Sequence, residues 1–176
     1  NEIGPNTRLF AWLFSDNSDY RLAIDAEVDL GVSRISQLEA ISSSDSTQRA
    51  RVHLKIDTGL HRNGATREEW PMVLDRAAEL ERAGQLEIVG AWTHIAEASD
   101  EEDTLSIERF GEAITIAAGL GIRFPLRHLA ASAAGYARQD ARFDLVRFGA
   151  FCYGLPPADG PKASDMGLIQ TMTLTA

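Results

Sequence analysis

Two arginines, a lysine, a histidine and a serine stand where short apolar runs end or turn. The stretch 52–65, VHLKIDTGLHRNGA, sets Lys55 and Asp57 among strand-forming residues and follows them with Thr58-Gly59 and Arg62. His94 closes the run 86–94, Ser132 closes 127–132, and Arg147 precedes Phe148-Gly149. Guanidinium groups bind carboxylate and phosphate through charge-assisted, often bidentate bonds, and a hydroxyl and a glycine turn add neutral donors. The set suits an anionic, hydrogen-bonding ligand. Spacing alone is compatible with a phosphate-bearing ligand, in the manner of barrels that hold phosphate at their strand ends, and it names no reaction.

The meaning of Lys55 depends on the sheet that carries it. Val52, Leu54 and Ile56 share one face of an extended segment, and His53, Lys55 and Asp57 share the other. A solvated antiparallel sheet would make that face ordinary; a parallel α/β sheet, covered on both sides, would not. Short apolar runs predict parallel strands near 9–14, 30–35, 51–57, 87–94, 127–131 and 144–149. Trp70, Val73, Leu74, Ala77 and Leu80 form a helical stripe over 67–83, with Thr66 and Glu69 spaced as a capping box and Gly84 as the stop. Ile107, Phe110, Ala113, Ile114 and Ala117 do the same over 104–120. Strands alternating with helices mean parallel β/α units, in a barrel or an open sheet. Lys55 therefore points somewhere unusual. In barrels of this kind reactive groups gather at the carboxyl ends of strands, which is where Asp57, Arg62, His94, Ser132 and Arg147 fall.

At 176 residues the chain is about one domain. With 17 basic against 26 acidic residues its net charge is −9, which argues against general nucleic-acid binding while leaving room for a local basic pocket. The one cysteine, Cys152, excludes an internal disulfide framework and suits a reducing, cytoplasmic compartment. No apolar run reaches membrane-spanning length and no signal-peptide pattern opens the chain. The chain begins without Met and ends on GLIQTMTLTA, which reads as a strand beginning, so both ends are expected to be cuts through a larger protein.

The segments HLKIDTGLHRNG, GAWTHIAEASDE, HLAASAAG and DLVRFGAFCYGLPP, in this order, resemble alanine racemase. Four motifs in register over nearly the whole chain make the resemblance specific. It implies an amino-terminal (β/α)₈ barrel holding pyridoxal 5′-phosphate, a carboxyl-terminal β domain and a homodimer. It implies an activity that interconverts L- and D-alanine for peptidoglycan. On that plan residues 1–160 resemble barrel strands three to eight, an incomplete TIM-type barrel, and 161–176 a linker with the first strand of the β domain. The strand-one lysine that carries the cofactor and the tyrosine that acts as second base have no match here. The chain alone is expected to be inactive.

The resemblance assigns residues one by one. Lys55 matches the barrel lysine that is often carbamylated, which would turn a buried cation into an anion able to hold Arg62. Arg62 matches the arginine that reaches the cofactor's phenolic oxygen and the substrate carboxylate. His94 matches the histidine beside the cofactor ring, and Arg147 the arginine facing its pyridine nitrogen. Ser132, with the Gly149 and Ala150 amides, matches the phosphate site. The family often has Asn before that serine, where this chain has Ala131. His53, His61 and His128 read as structural, and Cys152 and Tyr153 as packing residues. An arginine at the pyridine nitrogen disfavours ring protonation and points to racemisation; fold-related decarboxylases carry an acid there. Other readings are a broader amino-acid racemase, a fold-related enzyme with the same cofactor, or a non-catalytic relative that binds it.

Overall fold

The structure is a computed structural model that describes residues 4, 7–15, 18–158 and 160–173. Its elements run β1 (Leu9–Ala11), α1 (Tyr20–Asp25), β2 (Val28–Val32), α2 (Ile35–Ser42), β3 (Ala50–Lys55), α3 (Trp70–Arg82), β4 (Leu86–Trp92), α4 (Asp100–Gly119), β5 (Leu126–His128) and α5 (Ser132–Ala137). The five strands pair in chain order, all parallel, and curl into a half-barrel. The expected parallel alternation holds.

The boundaries differ from expectation for local reasons. The third helix shows the reciprocal capping box, Glu69 N to Thr66 Oγ1 at 3.2 Å and Thr66 N to Glu69 Oε2 at 2.9 Å, but its α-helical turns begin only at Trp70. It ends as a Schellman motif: Gly84, at φ +77°, donates to Glu81 O and Gln85 donates to Leu80 O. The fourth helix begins four residues before the apolar stripe suggests. Ser99 caps it by accepting from Glu102 N at 3.2 Å, and Asp100, Glu101, Glu102 and Asp103 fill its first turn, where acids complement the helix dipole. The run 30–35 stops at Val32, because Gln37 Oε1 accepts from Ser33 N at 2.8 Å and draws the chain into α2.

The sixth strand, expected over 144–149, is reduced to one parallel bridge between Leu145 and His128. Asp144 N still donates to Arg127 O and Arg147 N to Ala130 O, so the segment follows β5 without forming a full ladder. Residues 163–167 form turns, the rest of 161–173 belongs to no regular element, and 174–176 lie outside the described residues.

Two layers lie against the sheet. On the helical side Val52, Leu54 and Ile56 are buried with Trp70, Val73, Leu74, Ala77, Phe110 and Ala113. On the other side Phe10, Trp12, His53, Trp92 and His128 pack ring against ring, with centroids 4.6–5.9 Å apart in their contacting pairs. Two glycines make room for this plug. A Cβ on Gly90 would stand 2.4 Å from His53 Nδ1, and one on Gly31 would stand 3.1 Å from the Trp92 ring.

The two faces make opposite forecasts for glycine replacement. Gly90→Ala should destabilise the protein by about 1–3 kcal/mol, because the ring it displaces has no free volume to enter. Gly111→Ala, inside α4 with nothing within 4 Å of the added carbon, should stabilise by about 0.5–1 kcal/mol. Urea denaturation of both variants checks the pair.

Candidate functional site

Lys55 ends β3 on the ring-packed face and is 1% exposed. Its Nζ donates to Asn63 Oδ1 and stands 4.3 Å from the centroid of the Trp92 ring. Asp57, the neighbour that could have neutralised it, is engaged elsewhere. Its Oδ1 accepts from Gly59 N at 3.0 Å and His61 N at 3.1 Å, which shapes the turn leading to Arg62. Burial, then the positive charges of Arg62 and Arg147, depress the Lys55 ammonium to about 8, against a small opposing pull from Asp57. A substantial neutral-amine fraction is therefore present at mildly alkaline pH.

Arg147 is the most constrained group of the site. It is 9% exposed, and its backbone is fastened to β5 through Ala130 O. One terminal nitrogen lies 2.6 Å from His128 Nδ1. The other donates to Thr93 O and Leu129 O, each at 2.9 Å, and lies 3.0 Å from His94 Nδ1. The guanidinium carbon sits 5.1 Å from the Trp92 ring centroid and 5.5 Å from that of Trp12. Every acceptor around it is neutral. Burial pulls it down to about 10, so it remains a cation at neutral pH. Its Nε is buried and has no hydrogen-bond partner.

The remaining assigned residues fall around this centre. His94 is half-buried, and burial first, then Arg147, Arg62 and Lys55, lower its pKa to about 4, so it is a neutral ring. Arg62 is exposed on the β3–α3 connection, near enough for its charge to depress both Lys55 and His94. Ser132 is buried at the start of α5, where its Oγ accepts from Gly149 N at 3.0 Å; Ala150 follows in a 3₁₀ turn. Two groups thus meet at the strand ends: Lys55, Arg62, His94 and Arg147 on one side, Ser132 with the Gly149 amide on the other. Among the described residues no carboxylate lies within ion-pair distance of Lys55, Arg62 or Arg147. A concentration of positive charge with no carboxylate in direct contact favours an anionic ligand.

Sequence reasoning missed several members. Asn63 and Trp92 hold Lys55, yet neither type in a loop or a strand announces such a task. His53 and His128 read as structural, and both are buried, His128 against Arg147 and His53 behind His128. The period-two pattern that placed His53 and Lys55 on one face was the available signal. Behind the β3 and β4 ends, Thr58, Thr93 and Ser106 form a buried hydroxyl cluster, with Thr58 Oγ1 2.9 Å from Thr93 Oγ1 and 2.6 Å from Ser106 Oγ. A cleft of about 400 Å³ between the β3–α3 turn and α4 is lined by Asp57, Thr66, Trp70 and Arg109, and by none of Lys55, Arg62, His94 and Arg147.

The buried imidazoles carry a consequence for acid stability. Burial, then Arg147 and His53, pushes His128 down to about 2, while an unfolded histidine titrates near 6.5. From pH 6.5 downward the unfolded chain binds protons that the folded chain refuses, so stability is lost as pH falls through that window. The loss should reach at most about 1.4 kcal/mol per pH unit for His128. Urea denaturation at pH 7, 6 and 5 should show a slope that His128→Gln reduces.

Residues 1–157 match the family of the alanine racemase N-terminal domain. An alanine racemase of Frankia casuarinae is 43% identical over 179 residues, which cover 98% of this chain and 46% of that protein. One of Salinispora tropica is 40% identical over 178 residues, 98% of this chain and 47% of the relative. The solved alanine racemase from Streptomyces coelicolor A3(2) superposes with a TM-score of 0.91 at 32% identity, covering 97% of this chain and 47% of that structure. The chain spans about half the length of these relatives. By motif order, fold and matched span, it belongs to the alanine racemase N-terminal domain family.

Proposed function

We propose that the protein to which this chain belongs interconverts L-alanine and D-alanine with pyridoxal 5′-phosphate at these strand ends, in the cytoplasm and as a homodimer, supplying D-alanine for peptidoglycan. The observation that carries this reading is Arg147: a buried cation held by neutral acceptors, with a spare donor at Nε. A guanidinium donates and never accepts, so it suits a pyridine nitrogen that keeps its lone pair. The phosphate fits the other group, where the Ser132 hydroxyl, held by the Gly149 amide, retains its proton for donation beside the Ala150 amide. Bound there, the cofactor supplies the electron sink that acidifies the substrate Cα–H.

The chain's own residues orient and tune. Arg147 opposes protonation of the ring nitrogen, because a second cation would then face it at hydrogen-bond range. His94, neutral and bonded to Arg147, walls the ring without adding charge. Arg62 meets the substrate carboxylate. Lys55 in its neutral form adds to CO₂, its nitrogen forming the new C–N bond and releasing one proton, and the resulting carbamate holds Arg62 where an ammonium would repel it. The burial that lowers the Lys55 pKa raises the reactive fraction. The proton-moving bases match no residue of this chain, and on this reading they come from other parts of the protein and across the dimer.

Replacing Arg147 with Glu in the full-length protein should change the cofactor absorbance during turnover. It should also lower racemisation at least about a hundredfold, as the loss of a charged group aimed at the reacting system does. Arg62→Ala should lower kcat/KM by about 10–100-fold through the lost carboxylate contact. Unchanged spectrum and rate in both variants would remove these residues from the site.

A further inference from the structure

The acceptors that hold Arg147 continue into a chain of buried hydrogen bonds that ends on a carboxylate at the opposite end of the sheet. His128 Nδ1 lies 2.6 Å from Arg147, and its Nε2 lies 3.1 Å from His53 Nδ1. His53 Nε2 lies 3.4 Å from Asp29 Oδ2. Asp29, the second residue of β2, is 3% exposed and is gripped by Arg8 at 2.6 Å and Arg51 at 2.5 Å. We propose that Asp29 is a positioning residue for Arg147, acting through the tautomers of His53 and His128.

The direction of every link is determined. A guanidinium presents only N–H groups, so His128 Nδ1 must offer its lone pair. A neutral His128 then carries its proton on Nε2 and donates it to His53 Nδ1. His53 in turn carries its proton on Nε2, facing an acceptor-only carboxylate. Both ends demand the same pair of tautomers; with either ring reversed, two N–H groups would face each other. Burial opposes a charged Asp29, but the bonds from His53 and Arg51 outweigh it and hold the carboxyl below its usual range. The anion that orders Arg147 thus stays remote and is itself neutralised by Arg8 and Arg51. Arg147 gains a fixed orientation and keeps its positive potential toward the strand ends, which a carboxylate in direct contact would cancel.

Aromatic neighbours pack closely on both rings. Phe10 packs on His53 at 4.6 Å and on His128 at 5.3 Å between centroids, and Trp92 stacks on His128 at 5.6 Å and 12°. The missing Cβ of Gly90 leaves the space that His53 Nδ1 occupies.

The test is nitrogen NMR of ring-¹⁵N-labelled histidine in the full-length protein, first without pyridoxal 5′-phosphate, with His53→Gln and His128→Gln used for assignment. Wild type should show His53 and His128 neutral and protonated on Nε2. In Asp29→Leu, which removes the acceptor, the unprotonated-type Nδ1 resonance of His128 should be lost or averaged as reversed tautomers become populated. Affinity for pyridoxal 5′-phosphate, followed by absorbance titration, should fall about tenfold, the scale seen when the partner that orients a binding residue is removed. A His128 protonated on Nδ1 or charged in wild type would overturn the proposal, even where Asp29→Leu does not fold. So would a folded Asp29→Leu protein with unchanged tautomers. The consequence for the cofactor rests on the reading of Arg147 given above, and that reading fails separately: intact wild-type tautomers with full cofactor affinity in Arg147→Gln would dismiss Arg147 from the cofactor and leave the relay standing.

Discussion

A guanidinium cannot shed its proton at any pH a cell provides, so burying one obliges the fold to surround it with acceptors. That obligation, at Arg147, organises the interior of this half-barrel. Two main-chain carbonyls and two imidazole nitrogens meet it, and both carbonyls come from residues just past the ends of β4 and β5. Carbonyls at strand ends are freed from the ladder where the chain turns away, which makes them acceptors to spare. The choice of neutral partners has an electrostatic result. Burial first, and then the positive charges of Arg147 and Arg62, displace both Lys55 and His94 from their ordinary titration ranges.

Packing and charge are coupled through size. The interior face needs room for imidazole and indole rings, and glycines at positions 31 and 90 supply it by bringing strand backbone close to ring edges. Trp92 does double duty, stacking on His128 and lying beneath Lys55 and Arg147, so that one ring serves two cations as a weak, non-neutralising partner. The outer face follows the usual aliphatic logic, with Val52, Leu54 and Leu74 fully buried. One strand therefore carries two chemistries on alternate residues.

Much of this architecture is legible in the amino-acid sequence. Alternation of short apolar runs with helical stripes leads to parallel β/α units. The capping box at Thr66 and Glu69 and the stop at Gly84 are readable because each is a local motif whose hydrogen bonds span a few residues. Strand ends are less so, since a strand stops where its neighbour stops. The segment 144–149 has strand-like residues, yet it makes only one bridge to β5. The assigned site residues come from motif resemblance, and the geometry brings Lys55, Arg62, His94 and Arg147 within electrostatic reach of one another. What stays hidden is the set of partners. His53 to His128 spans 75 positions and Asp29 to His53 spans 24, and nothing in residue type or spacing announces a contact that only the curl of the sheet creates.

The hydroxyl cluster of Thr58, Thr93 and Ser106 differs in kind from the histidine chain. A hydroxyl gives and takes a proton with equal ease, so its hydrogen bonds can run in either sense around the cluster after three small rotations. Such a fastening has no preferred sense, whereas imidazoles in fixed tautomers have one. Thr58 begins the connection that carries Arg62, and Thr93 is the residue whose carbonyl receives Arg147. The connection bearing the exposed arginine is thereby anchored through bonds that can reverse their sense, and the buried arginine through bonds that cannot. Of the two guanidinium groups, one is exposed on a connection and the other is buried among acceptors of fixed sense.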